Sequence, residues 1–128
     1  MTLVVAIDGP SGSGKSTVAR GVADALGLPV LDTGAMYRAV TLAALEAKIP
    51  LDDAAAAAAI ARRSDVTVER GVTMLDGRDV SREIRGPEVT GSVSVVSAHP
   101  EVREILVAYQ RDWVARHGGG VVEGRDIG

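Results

Sequence analysis

Cysteine and phenylalanine are both absent from this 128-residue chain, and aromatic residues make up only 2% of it. Without cysteine there is no disulfide framework, no thiolate nucleophile and no Cys-based zinc site. With Tyr37, Tyr109 and Trp113 as its only rings, the chain must build its core from Val, Leu, Ile and Ala. These help bring the hydrophobic fraction to 46%, a figure that the alanine run at 54–59 inflates. A long basic surface is missing as well. The formal net charge of −3 argues against nucleic acid or an anionic membrane as partner, though not against a local basic pocket for one small anion. No run is apolar enough to span a bilayer, and residues 1–7 lack the basic start of a signal peptide. The expectation is one soluble, cytoplasmic domain. Lysine is scarce too: Lys15 and Lys48 stand against twelve arginines.

One of those two lysines lies in the most informative stretch. After the apolar run Leu3-Val4-Val5-Ala6-Ile7 come Gly9-Pro10-Ser11-Gly12-Ser13-Gly14-Lys15-Ser16, which fit the G-x-x-x-x-G-K-[ST] phosphate-binding pattern between a strand and a helix. Gly9, Gly12 and Gly14 let the backbone adopt positive φ and bring its N–H groups close to phosphate oxygens. A helix starting near Lys15 points its positive dipole end at the same anion. Lys15 adds a mobile charge for the outer phosphates, and the Ser16 hydroxyl can ligate Mg²⁺.

The rest of the chain reads as α/β. Residues 3–7 are expected to be a fully buried parallel strand. A helix over Lys15–Leu26 should follow, with Val18, Val22 and Leu26 on one face and Gly27 as its stop. Pro29-Val30-Leu31 reads as a second strand, which completes a βαβ unit. A helix over 35–47 should turn Met36, Val40 and Leu45 inward. Asp52 or Asp53 can cap a third helix that runs through the alanines to Arg63. The period then shortens: 66–68 and 72–75 are β-type runs, and Asp76-Gly77 signals a hairpin into 78–80. Pro87 can open a helix carrying Val89, Val93 and Val96. From Pro100 to His117, Val102, Ile105, Leu106, Tyr109 and Trp113 form an amphipathic stripe, with the two rings read as core. His99 and His117 read as exposed caps. Gly118-Gly119-Gly120 should stop that helix, and Val121-Val122-Glu123 should be another parallel strand, ending where α/β ligands bind.

A phosphate loop indicates a nucleotide, not a reaction. No guanine-reading NKxD-type motif is present, which disfavours a GTPase. Leu31-Asp32-Thr33-Gly34-Ala35-Met36-Tyr37-Arg38 brings hydroxyl, aromatic and guanidinium groups to the edge of the second strand, and Arg125-Asp126 follow the last one. Arg38 and Arg125 could clamp an acceptor phosphate while Lys15 and Mg²⁺ hold the donor. Asp8 and Asp32 could order metal-bound water or satisfy loop amides.

Four stretches together resemble bacterial cytidylate kinases, in that family's order and spacing. They are residues 7–16, Leu31 to Arg38, Leu75-Asp76-Gly77-Arg78-Asp79-Val80-Ser81 with Ile84-Arg85, and Glu123-Gly124-Arg125-Asp126-Ile127-Gly128. The resemblance implies a P-loop NTPase-type parallel sheet flanked by helices, with an inserted small antiparallel β/helical sub-domain that binds the monophosphate. The core would be 1–34 and 118–128, and the monophosphate region about 35–117 with its β insertion at about 64–82. The implied reaction is transfer of the γ-phosphoryl of ATP to CMP or dCMP.

By the same resemblance, Gly9, Pro10, Ser11, Gly12, Ser13, Gly14, Lys15, Ser16 and Thr17 hold ATP, with Mg²⁺ on Ser16. Arg38 and Arg125 bind the CMP phosphate. Ser94, Arg103 and Asp126 read cytosine, and Thr33 lines the pocket. Lys15 and Arg125 are the catalytic pair. Partners are then small nucleotides, and the expected state is a monomer. The family continues beyond this point with further strands and a lid, so the chain reads as C-terminally truncated and, by itself, as a poor or inactive kinase. Two other readings stay open. One is a different P-loop small-molecule kinase of the shikimate or gluconate type. The other is a non-catalytic ATP-binding fragment of a split or fused protein.

Overall fold

Backbone register, not side-chain bulk, organises the first part of the molecule, which a computed structural model describes over residues 3–8, 15–69 and 71–124, with the backbone alone at 3, 8, 15, 16, 123 and 124. The β-branched run forms strand β1 (Leu3–Asp8), and helix α1 (Lys15–Leu26) follows. Gly27 closes α1 at φ +66°, and Leu28 N–H reaches back to the Ala23 carbonyl at 2.9 Å. That is the left-handed helix stop expected of a glycine there. Strand β2 (Val30–Asp32) leads into helix α2 (Thr33–Glu46). Pro29 stays outside β2, and its carbonyl accepts from Val121 N–H at 2.8 Å. The last strand, β6 (Gly119–Gly124), pairs in parallel with both β1 and β2, so the sheet order is β1-β6-β2.

The chain divides into two compact units, Met1–Gly34 with Gln110–Gly128, and Ala35–Tyr109. In the first unit, Ala19, Ala23 and Val121 are buried, and Val5, Ile7, Val22, Leu28 and Val30 pack against them. Two expectations need correcting here. Strand β1 is not fully buried: Val4 is 48% exposed and Ala6 is exposed as well. Among the described residues it has a partner strand on one side only. The inward face of α1 is Ala19 and Ala23, while Val18 and Leu26 are exposed at 54% and 48%. Small side chains let a helix backbone approach a sheet closely, so of the expected stripe only Val22 packs against the core.

The other face of β6 depends on glycine. A Cβ built on Gly120 would lie 2.5 Å from Trp113 Cζ3, so the indole fills the space a side chain would need. Trp113 is 2% exposed and stacks on His117 with ring centroids 4.3 Å apart. The strand therefore begins two residues earlier than the valines suggest, inside the glycine run.

In the second unit, helix α3 (Ala54–Arg63) begins at Asp53, whose carboxylate accepts from Ala56 N–H at 3.1 Å. Its alanines do more than favour helix: Ala57, Ala58 and Ala61 are buried beside Ile60 in the sequence. Strands β3 (Val66–Glu69), β4 (Val72–Leu75) and β5 (Arg78–Asp79) form an antiparallel sheet in that order. Asp76 (φ +51°) and Gly77 (φ +83°) make the two-residue turn between β4 and β5, whose positive φ values match the twist of the flanking strands. A 3₁₀ turn (Glu83–Arg85) precedes helix α4 (Pro87–Ser97), which opens on Pro87. Helix α5 (Pro100–His117) completes the set, and the unit boundary falls within it. Met36, Val40, Val89, Val96, Val102 and Leu106 are buried as expected. Leu45 and Val93 are only partly so. His99 is half-buried, not an exposed cap, with Nε2 2.7 Å from the Leu51 carbonyl.

The result is an α/β chain with a parallel sheet, flanking helices and an inserted antiparallel sheet.

Candidate functional site

Parallel pairing aligns the carboxyl ends of three strands. Asp8 is in register with Gly124, and Asp32 with Glu123, on the two sides of β6. One sheet edge therefore carries the start of the phosphate loop, the start of 125–128 and the start of α2. Ligands of open α/β sheets bind at this edge because every loop leaving it converges there. The loop residues Gly9, Pro10, Ser11, Gly12, Ser13 and Gly14, together with Arg125 and Asp126, lie outside the described residues. For Lys15 and Ser16 the structure gives the backbone, which forms the first turn of α1. Thr17 is exposed in that same turn. Thr33, the first residue of α2, is 1% exposed. Strand, six-residue gap and helix follow one another as the phosphate-binding motif requires.

Residue types with oxygen donors, which hard cations take, occur at this edge. Ser16 lies in the first turn of α1, and Asp8 and Asp32 end the two strands that flank β6. Among the described residues, no group of three or more His, Asp or Glu side chains forms a metal-binding cluster of its own.

The second unit presents the other expected residues. Arg38 sits on α2, half-buried. Its Nη1 donates to the Ile84 carbonyl at 3.0 Å and to Thr90 Oγ1 at 3.0 Å. Both Nη1 hydrogens are thus engaged, which directs the Nε–Nη2 edge elsewhere. The preceding residue, Tyr37, accepts a hydrogen bond from the Arg103 guanidinium on α5. Burial pushes the Tyr37 phenol above its ordinary range, and the charge and hydrogen bond of Arg103 pull it back only in part. Adjacent residues of one helix therefore bind two different neighbours, α4 through Arg38 and α5 through Tyr37.

Ser94 is exposed on α4, and its carbonyl accepts from Ala98 N–H at 3.2 Å. Sequence reasoning named Arg38 and Arg103 but missed what holds each of them. Tyr37 was visible as the aromatic beside Arg38. Thr90 carried no signal, because nothing in a helix-opening P-E-V-T announces a contact 52 positions away.

The family model described as cytidylate kinase matches residues 5–128. The chain is 57% identical over 130 residues to a cytidylate kinase of Nocardia farcinica, covering 98% of this chain and 56% of that protein. It is 52% identical over 128 residues to one of Caldanaerobacter subterraneus subsp. tengcongensis, covering 100% and 57%. It is also 51% identical over 132 residues to a bifunctional pantoate ligase/cytidylate kinase of Synechococcus sp., covering 98% and 24%. The chain spans a little over half the length of the single-function relatives. A phosphate-loop strand–helix unit, an inserted antiparallel sheet and a family match over nearly all its residues lead to one assignment: this chain belongs to the cytidylate kinase family.

Proposed function

We propose that the protein phosphorylates CMP and dCMP with ATP, giving the corresponding diphosphate and ADP. The observation that carries this reading is the continuous family match from residue 5 to residue 128, which takes in both the donor loop and the residues assigned to the acceptor. The names of the relatives agree with it.

In this reading residues 9–17 hold the ATP phosphates, with Lys15 on the transferring end. Mg²⁺ bound at Ser16 would offset charge on the phosphates. Arg38 and Arg125 hold the acceptor phosphate as planar forks, a geometry that suits guanidinium better than ammonium. Asp126 accepts from the exocyclic amine of cytosine, and Arg103 donates to its ring acceptors. Uracil carries a carbonyl where cytosine carries that amine, so it would leave Asp126 facing an acceptor. Ser94 and Thr33 complete the pocket. Residues 35–117 act as the monophosphate-binding region, with the β insertion at about 64–82. The reaction needs no covalent intermediate. Aligning the acceptor with the γ-phosphoryl and stabilising its charge supply most of the rate.

The half-buried Arg38, held from one side by Ile84 and Thr90, supports the phosphate clamp. A coupled ADP-release assay with CMP, dCMP, UMP, shikimate and gluconate as acceptors tests the proposal. Turnover with CMP and dCMP is expected from a protein of the relatives' full length, and weak or no turnover from these 128 residues alone. Turnover with shikimate or gluconate instead would replace it with the other small-molecule kinase reading, and ATP binding without turnover on any acceptor, at the relatives' full length as well, would favour a non-catalytic fragment.

A further inference from the structure

The Arg38 guanidinium is tied to two separate acceptors on another segment, and both lie on the stretch that follows the hairpin insertion. One is the carbonyl of Ile84, a residue 1% exposed and therefore fixed by its own side-chain burial. The other is the hydroxyl of Thr90, one turn into α4. The two bonds take both hydrogens of one terminal nitrogen. A guanidinium is planar, so fixing Nη1 at two points also fixes the direction in which the opposite edge faces. That edge, Nε–H with the Nη2 hydrogens, is a two-pronged donor of the shape that meets two oxygens of a phosphate.

We propose that Thr90 is a positioning residue: through its hydroxyl, together with the Ile84 carbonyl, it presets the Arg38 guanidinium for the phosphate of the acceptor nucleotide. The inference rests on the assignment of Arg38 to that phosphate. Its physical content is entropic. A long arginine side chain loses rotamer freedom when it grips a ligand, and a side chain already held in place loses less of it on binding. Thr90 need not touch the nucleotide to do this. A second consequence concerns selectivity for phosphorylated ligands. Because the preset edge meets only the phosphate, Thr90 should matter for CMP and not for cytidine.

The test compares calorimetric affinities for CMP and for cytidine in the wild type and in Thr90→Val, Thr90→Ser, Arg38→Met and Arg38→Met/Thr90→Val. Thr90→Val keeps the shape and removes the acceptor. It is expected to weaken CMP about fivefold and leave cytidine unchanged, while Thr90→Ser restores the CMP affinity. In the Arg38→Met background, adding Thr90→Val should change neither affinity, since Thr90 acts through Arg38. If Thr90→Val leaves the CMP-to-cytidine ratio unchanged while Arg38→Met lowers it, the positioning role is overturned and the phosphate clamp stands. If Arg38→Met also leaves the ratio unchanged, the clamp itself falls, and the inference with it. A fall in both affinities together, with a lower unfolding temperature, would make Thr90 a structural tie and overturn the proposal.

Discussion

Tyr37 and Arg38 are neighbours in sequence, yet chemistry separates them. The Arg38 guanidinium donates to two neutral oxygens, the Ile84 carbonyl and the Thr90 hydroxyl. Tyr37 meets a cation, and burial still wins over that cation in setting its acidity. The sign of the consequence follows from linkage. A phenol whose folded pKa lies above its unfolded value contributes stability that is complete below about pH 10 and is lost as pH rises through the folded value. Urea unfolding at a series of alkaline pH values, run on the wild type and on Tyr37→Phe, measures this. The wild type should lose stability more steeply than Tyr37→Phe above about pH 10. Parallel pH curves would mean that the phenol is not held neutral by the fold.

At the scale of elements, β6 shows how a glycine can be an architectural residue. Its Gly120 faces the Trp113 indole so closely that an added Cβ would meet the ring at 2.5 Å. The chain has one tryptophan, and it is buried at this place. Gly120→Ala should therefore destabilise the first unit by about 3 kcal/mol, as overpacking of a filled core does, visible as a lowered thermal midpoint. A change within experimental error would show that the indole moves aside at little cost.

The sequence made this strand legible only in part. Its valines marked the centre of it, but the glycines beforehand read as a helix stop because the partner that needs them lies at Trp113. The hairpin was easier, since Asp76-Gly77 specifies its own turn through two positive φ values. The cap at Asp53 and the stop at Gly27 were legible for the same local reason. The inward face of α1 was not, because valine spacing says nothing about how near a sheet will come, and closeness is what selected Ala19 and Ala23 for the core. Of the candidate site, the motifs gave Arg38, and the family resemblance alone gave Arg103. Their holders, Thr90 with the Ile84 carbonyl and Tyr37, depend on contacts between distant segments, which no local pattern encodes.

For the whole molecule, the register of the parallel sheet is the link between fold and function. It brings the ends of β1, β6 and β2 to one edge, and the stretches assigned to the donor and to the acceptor both leave from that edge. Membership of the cytidylate kinase family gives this arrangement its meaning. The central claim is that the acceptor is a cytosine nucleotide, recognised by its base as well as its phosphate. The most direct measurement is the pair of dissociation constants for CMP and UMP, obtained by calorimetry on the same protein preparation. CMP is predicted to bind about a hundredfold more tightly, because uracil would leave a carboxylate without its donor. Equal affinities for the two would contradict the account.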